Sequence, residues 1–171
     1  MSKLNGCLAC GLWLWASVAM AQTCRSETEI PSSTPASDFT DNGDGTLIHH
    51  KTGLMWMKCP LGQSGADCAG SSVTTYTWQQ ALEAADSHSF AGYSDWRLPN
   101  IKELRSIVEN RCYSPAINAD VFPATPASNF WSSSPYAYVS GYAWYVGFSG
   151  GDAYYGYRDD SYRVRLVRSG Q

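Results

Sequence analysis

The run Thr77-Trp78-Gln79-Gln80-Ala81-Leu82-Glu83-Ala84-Ala85 and, further on, Asn100-Ile101-Lys102-Glu103-Leu104-Arg105-Ser106-Ile107-Val108 decide the fold class. Each opens on a capping-box pair, Thr77 with Gln80 and Asn100 with Glu103, whose side chains reciprocally satisfy backbone N–H groups that a helix start leaves orphaned. Trp78, Ala81, Leu82 and Ala85 recur at helical spacing, as do Ile101, Leu104, Ile107 and Val108, so both stretches predict core-packing amphipathic helices. Gly92-Tyr93-Ser94-Asp95-Trp96-Arg97-Leu98-Pro99 between them is an irregular aromatic connection.

Both flanks read as strands. Phe39-Thr40 and Leu47-Ile48-His49-His50 enclose Asp41-Asn42-Gly43-Asp44-Gly45-Thr46, the composition of a β-hairpin turn. A calcium loop with Gly45 at its sixth position would put Thr40 and Lys51 where an EF-hand needs carboxylates, so the hairpin is preferred. Leu54-Met55-Trp56-Met57 reads as a buried strand. After Cys112 no helical period returns. Trp144, Val146 and Phe148 alternate with Tyr145 and Gly147, and Val164 and Leu166 with Arg163 and Arg165, predicting strands with one buried and one exposed face. Early strands, two helices and late strands describe an α+β domain: two helices on short, mostly antiparallel strands, with a β-rich C-terminal half.

With 171 residues and 16% charged, the chain suits one domain, and a formal charge of −3 offers no broad basic surface to a nucleic-acid backbone. Lys3 followed by the apolar run Leu8–Ala16 and Ala19-Met20-Ala21 predicts a secretory signal over 1–21, too short to span a bilayer. Residues 22–37, rich in Ser, Thr and Pro, read as an extended N-terminal arm, and 38–171 as the domain. Export places the protein at the cell surface, outside the cell or in the periplasm. Beyond Ala21 four cysteines remain. An even count in an exported chain implies disulfides, Cys59 with Cys68 across a short polar loop and Cys24 with Cys112. Ala21-Gln22-Thr23 before Cys24 is a poor lipidation signal, which leaves a lipid anchor as the only membrane attachment to consider. Beyond Ala21 no Cys-x-x-Cys occurs and the histidines are not spaced as zinc ligands, so neither metal nor other cofactor is expected.

The motifs Phe39–Thr46, Lys51-Thr52-Gly53-Leu54-Met55-Trp56, Thr77–Leu82, Gly92–Leu104, Phe130-Trp131-Ser132-Ser133 and Val164-Arg165-Leu166-Val167-Arg168 resemble the family named for the C-terminal domain of the Legionella collagen-like protein. That resemblance spans about residues 38–168. It implies a C-type-lectin-like α+β fold, and some members are surface adhesins that bind glycosaminoglycans.

Eight of the 11 tyrosines fall between Tyr136 and Tyr162. This segment resembles the variable region of proteins diversified by diversity-generating retroelements, in which template adenines, mostly in AAC codons, are mutated during copying. Mutated AAC codons still end in C and encode Tyr, Ser, Gly, Asp, Ala and Val among others, but never Lys, Glu, Gln, Met or Trp. The segment contains no Lys, Glu, Gln or Met. The resemblance implies a fixed frame of Trp131, Trp144, Val146, Phe148, Arg158, Arg163, Val164, Arg165, Leu166 and Val167, with Trp144 pointing inward. The candidate variable, ligand-binding set is then Tyr136, Tyr138, Val139, Gly141, Tyr142, Tyr145, Gly147, Ser149, Gly150, Asp152, Ala153, Tyr154, Tyr155, Gly156, Tyr157, Asp159, Asp160 and Tyr162.

Tyrosine offers large contact area on few rotatable bonds, and Ser and Gly let a backbone adapt, so the composition is that of a binding surface. Aromatic enrichment is also common in strands generally. A protein ligand and a glycan stacked on tyrosine faces both remain open. Calcium-dependent sugar binding lacks its triplets, since the nearest is Leu98-Pro99-Asn100. Formylglycine-generating enzymes share a related fold but depend on C-terminal cysteines, and none follows Cys112. His49, His50 and His88 read as hairpin and helix residues, and no catalytic site is expected.

Overall fold

The computed structural model describes residues 22–170. The expected signal, 1–21, lies outside the described residues. Strands β2 (Phe39–Asp41) and β3 (Thr46–His49) form the expected hairpin, with Phe39 opposite His49. Its turn acids serve the turn itself. Asp41 Oδ1 accepts from the Gly43 N–H at 2.9 Å, and Asp44 Oδ1 accepts from the Thr46 N–H at 3.0 Å. Gly45 has φ +89°, and a Cβ there would lie 2.7 Å from the Phe90 ring, so the position excludes any side chain. β4 (Leu54–Met57) continues the antiparallel sheet, and β9 (Val167–Ser169) pairs with β4 to give the order β2-β3-β4-β9. The C-terminal strand thus returns to the N-terminal hairpin.

Both capping boxes form, at Thr77 for α1 (Trp78–Asp86) and at Asn100 for α2 (Ile101–Arg105). α2 is shorter than its apolar period: Ile107 and Val108 lie beyond it, yet both are buried. Val108 leaves the helix to form a bridge with Ile117, which supplies backbone pairing that another helical turn would forfeit. β5 (Cys112–Tyr113) pairs with β1 (Thr23–Cys24), and β6 (Asn129–Pro135), β7 (Tyr142–Gly147) and β8 (Asp152–Tyr157) form a second antiparallel sheet in chain order. The fold is therefore mixed α+β with a strand-dominated C-terminal half.

Two apolar clusters fill the interior. One gathers Leu47, Trp56, Leu104, Phe122, Phe130, Val146 and Phe148; the other gathers Met55, Met57, Ala81, Trp96, Leu98, Trp131, Val164 and Leu166. The C-terminal stretch departs from simple alternation. Val164, Arg165, Leu166, Val167 and Arg168 are all buried, and only Val167–Ser169 is a strand. Arg165, expected on an exposed face, is fully enclosed. Its guanidinium donates to the Met57 carbonyl at 2.9 Å, to the Lys58 carbonyl and to Thr125 Oγ1 at 2.6 Å, and lies 4.7 Å from the Phe122 ring centroid. Burial lowers its pKa to about 9, which still leaves it charged at neutral pH. Arg168 is held by a two-toothed bond to Asp95, at 2.7 and 3.1 Å, with its guanidinium 3.8 Å from the Tyr93 ring.

The N-terminal arm is extended but firmly attached. Cys24 and Cys112 are bonded, as are Cys59 and Cys68. In the chain-entropy picture these closures remove about 4 to 5 and about 2 to 3 kcal/mol of unfolded-state freedom. The Cys24 sulfur is occupied by the bridge to Cys112. The arm is also fastened by Glu109, whose carboxylate accepts from the Ser32 and Thr34 hydroxyls and from the backbone N–H groups of Ser33, Thr34 and Arg111. Burial alone would raise this carboxyl, but the converging donors outweigh it and hold the pKa at about 2.

A depressed carboxyl contributes stability that is complete above its unfolded value of 4.5 and is lost as pH falls toward 2. Glu109→Gln is expected to lower unfolding free energy at pH 7 by about 3 kcal/mol. It should also flatten the stability profile between pH 4.5 and 2, as read by urea denaturation at a series of pH values.

Candidate functional site

The tyrosine segment supplies β7 and β8 of the β6-β7-β8 sheet, and the sheet's alternation splits the tyrosines between two faces. Tyr142 lies opposite Tyr157, Trp144 opposite Tyr155, and Tyr145 opposite Tyr154. Residues directly opposite share a face. Tyr142, Trp144, Tyr155 and Tyr157 therefore stand on one face, and Tyr145, Tyr154 and Gly156 on the other.

The first face carries an outward aromatic platform. Tyr136, at the end of β6, stacks on Tyr155 with centroids 4.1 Å apart and planes 17° apart, and meets Trp144 at 5.4 Å and Tyr138 at 5.5 Å. Tyr142 lies 4.4 Å from Tyr157 and 5.7 Å from Tyr155. Tyr138, Tyr155 and Tyr157 remain 87, 50 and 60% exposed, while Tyr136, Tyr142 and Trp144 are half-buried beneath them. A large exposed aromatic patch of this kind marks an interaction surface. Trp144 is a correction to the expected inward frame. Its ring belongs to the platform, and Ala143 instead of Trp144 enters the core from β7. At this level β6 shifts register between Trp131 and Pro135, so Trp144 has no directly opposite residue on β6. Val146, farther along the same face, does reach the core.

The second face is largely committed to packing. Tyr162 lies 4.3 Å from the fully buried Trp131 and 4.8 Å from Tyr145, and its hydroxyl donates to Asp160 Oδ2 at 3.0 Å. Tyr154 caps this group, 6.1 Å from Tyr145 and 54% exposed. Gly156 and Gly147 are buried. A Cβ at Gly156 would lie 2.9 Å from the Tyr162 hydroxyl, and one at Gly147 would lie 3.2 Å from Asn129 Oδ1.

The eighteen candidate positions thus separate into three groups. Tyr136, Tyr138, Val139, Gly141, Tyr142, Tyr155, Tyr157, Asp159 and Asp160 gather at the platform end, where the β6–β7 turn meets the end of β8. Ser149, Gly150, Asp152 and Ala153 lie at the other end, roughly 20 Å away for a six-residue strand. There the Ser114 N–H bonds to the Ser149 carbonyl. Tyr145, Gly147, Gly156 and Tyr162 lie inside or against the core, with Tyr154 beside them. The platform also includes one residue assigned to the frame, Trp144. Its bordering residue Arg158 donates from Nε to the Tyr142 carbonyl at 3.2 Å and lies 4.3 Å from the Trp78 ring. Trp78 was legible only as a helix residue.

Elsewhere, a shallow groove of about 460 Å³ runs between α1 and the Trp96–Leu98 segment, with Glu83 and Asp86 on its rim. No group of three or more His, Cys, Asp or Glu residues able to hold a metal occurs among the described residues. His49 is buried, stacked on Phe39 at 4.5 Å, and shares a hydrogen bond with Thr52; burial lowers its pKa. His50 shares one with Thr40. Among the described residues neither ring is hydrogen-bonded to a carboxylate, although Asp38 lies close enough to His49 to act on its charge.

Phenol acidity reports the two faces. The Tyr142 hydroxyl, bonded to Tyr157 and partly desolvated, is pushed up to about 12, and burial beside Asp160 does the same to Tyr162. A raised phenol contributes stability that is complete below its unfolded value of about 10. That contribution is lost as pH rises toward 12. Absorbance titration is expected to show two phenols, Tyr142 and Tyr162, ionising last, after Tyr136 and Tyr145, which are also raised. Tyr162→Phe should remove one of them and lower the melting temperature, whereas Tyr138→Phe should leave both late phenols in place.

No curated protein matches the chain closely enough to count as a relative. Among the described residues no helix is long and apolar enough to cross a membrane. The family model for the Lcl C-terminal domain matches residues 45–168, a span running from the hairpin turn through both helices and the whole tyrosine sheet to β9, and the chain belongs to that family.

Proposed function

We propose that this is an exported ligand-binding domain whose outward aromatic platform, Tyr136, Tyr138, Tyr142, Trp144, Tyr155 and Tyr157, contacts a protein or cell-surface ligand. The observation that carries the reading is the platform itself: stacked aromatic rings, half-buried at their base and open at the top, on a sheet held by a packed core. Each aromatic anchor buried against a partner contributes roughly 1.5 to 3 kcal/mol. Three such anchors approach the roughly −8 kcal/mol of a micromolar complex. The rings are already stacked, so little rotamer entropy is lost on binding. The tyrosine-rich, lysine-free composition supports generation of the surface by retroelement diversification, acting on the exposed members of the set.

A glycan ligand is the second reading, favoured by the exposed ring faces of Tyr155 and Tyr157, on which a pyranose can stack, with Asp159 near enough in sequence to meet hydroxyls.

Two measurements test these readings. The gene from many isolates is expected to vary at Tyr138, Tyr155, Tyr157 and Asp159 through adenine-derived codons ending in C, with a template repeat nearby. An invariant gene with mixed third bases would overturn diversification. A Tyr136→Ala, Tyr155→Ala, Tyr157→Ala variant is expected to lose at least about tenfold in binding to intact cells or to glycan-array hits. Undiminished binding would remove the platform from the site.

A further inference from the structure

The display sheet ends in an edge that nothing among the described residues covers. Among the described residues β8 pairs only with β7, and the direction of its backbone groups follows from the ladder. The Arg158 N–H bonds to the Gly141 carbonyl at 2.9 Å, while Tyr142 turns the other way, its N–H to Val139 and its carbonyl to the Tyr136 N–H. Hydrogen-bonded pairs alternate along an antiparallel ladder. Ala143, Tyr145 and Gly147 therefore bond to Gly156, Tyr154 and Asp152, and Ala153, Tyr155 and Tyr157 direct their N–H and C=O groups outward. Among the described residues none of these has a backbone partner except the Tyr157 carbonyl, which accepts from the Asp160 N–H. Beyond that point the edge is closed, because the Trp78 N–H takes the Arg158 carbonyl at 2.9 Å.

Other sheet edges are managed. β6 is bulged and sealed by backbone bonds between Trp131 and Arg163 and between Arg163 and Asn129; β9 is covered by Arg97. β2 has three residues. β8, Asp152-Ala153-Tyr154-Tyr155-Gly156-Tyr157, has six, with no lysine and no proline. Such an edge is a template for another strand.

We propose that β8 pairs antiparallel with β8 of a second copy of this chain, centred on Tyr155. The outward groups sit at 153, 155 and 157, so a two-fold axis through Tyr155 matches every one: Ala153 with Tyr157, and Tyr155 with itself. The same register makes three side-chain matches. Asp152 lies opposite Arg158, and both are unspent. Neither the Asp152 carboxylate nor the terminal nitrogens of Arg158 have a hydrogen-bond partner among the described residues, and Arg158 is fixed only by its Nε bond to Tyr142 and its stack on Trp78. Tyr154 lies opposite Gly156, which Tyr145 and Tyr162 already roof, so its ring meets those two rings and not a bare backbone. Tyr155 meets its own copy next to Tyr136, joining the two platforms into one six-stranded display sheet. A shift by two residues in either direction would leave an outward group unmatched and place Asp152 opposite Gly156 or beyond the edge. The inference rests on backbone direction and charge, and it stands or falls independently of what the platform binds.

Sedimentation of the full mature chain over a concentration series is expected to show a monomer–dimer equilibrium. Ala153→Pro removes one outward N–H and leaves the bonds to β7 in place. It should yield a monomer of unchanged fold by circular dichroism that still binds through its platform. Asp152→Arg should weaken the dimer about tenfold, less at high salt. Paired Cα atoms at a hydrogen-bonded site lie about 5.5 Å apart, within disulfide reach. Tyr155→Cys should therefore form a covalent dimer on oxidation, whereas Tyr154→Cys, which faces Gly156 and not itself, should not. A wild-type chain that is monomeric at every concentration, a dimer that survives Ala153→Pro, or equal cross-linking at 154 and 155 would each overturn the proposal.

Discussion

The indole of Trp131 is fully buried, and its N–H donates to the Tyr76 carbonyl at 2.9 Å. That carbonyl also accepts from the Tyr162 N–H at 3.0 Å, while the Tyr76 N–H bonds back to Tyr162 at 2.8 Å. A single carbonyl thus ties the display sheet, through Trp131, to the segment that enters α1 and to the segment that leaves β8. The neighbouring residues repeat the pattern. Trp78 donates its indole N–H to the Ser132 carbonyl at 2.8 Å, and the Ser132 hydroxyl donates to the Trp144 carbonyl at 2.7 Å. An indole packs a large apolar area, yet when buried it must satisfy one donor, so its position is fixed by both demands together. Two tryptophans held this way immobilise β6 from beneath. A platform of stacked tyrosines can keep its shape on a three-stranded sheet only because that sheet cannot slide.

The same constraint divides the tyrosines by what substitution would do. Tyr145 and Tyr162 pack on Trp131, so replacing either removes contacts from the core and leaves a void. Gly156 lies beneath them and has no room for a Cβ. Tyr138 and Tyr157 stand largely in solvent, where most replacements change stability little. A surface generated by replacing residues needs positions of the second sort. A frame needs the first, and strand alternation supplies both from one continuous segment.

Much of the frame was legible in local chemistry. The two capping boxes, the hairpin turn and the Cys59–Cys68 loop depend on neighbours within a few residues, and each formed where the residue types required it. The features that were not legible depend on distant partners. Alternation from Val164 to Arg165 suggested an exposed arginine, because a period of two assumes one wet face. Here both faces are covered, and carbonyls at Met57 and Lys58, far away in sequence, receive the guanidinium. Trp144 failed for a related reason: a large aromatic in an alternating strand reads as inward, and the β6 register shift that leaves it without an opposite residue lies on another strand. The arm read as extended, and nothing in the polar Ser32, Ser33 and Thr34 pointed to what fastens them. Their partner is a single buried carboxylate at Glu109, some 75 residues on.

Arg165 and Glu109 share a design that bears on the site. Each is a buried charge without an opposite charge beside it, stabilised instead by several neutral dipoles. Removing one partner from such an arrangement leaves an uncompensated ion, which is far more costly than the arrangement is beneficial. Both therefore act as all-or-none locks on the segments they join: the end of β4 and the loop at Thr125 for Arg165, the arm and the turn before Cys112 for Glu109. Neither touches the platform. Charge is kept in the frame, where it fixes geometry, and is nearly absent from the platform, where Arg158 and the nearby aspartates border a field of phenols. A binding surface built this way draws its affinity from ring contact and hydroxyl hydrogen bonds, and these depend far less on salt than ion pairs do. Ligand choice is then set by which rings stand where, a property that substitution on β8 and the β6–β7 turn can change without disturbing either lock.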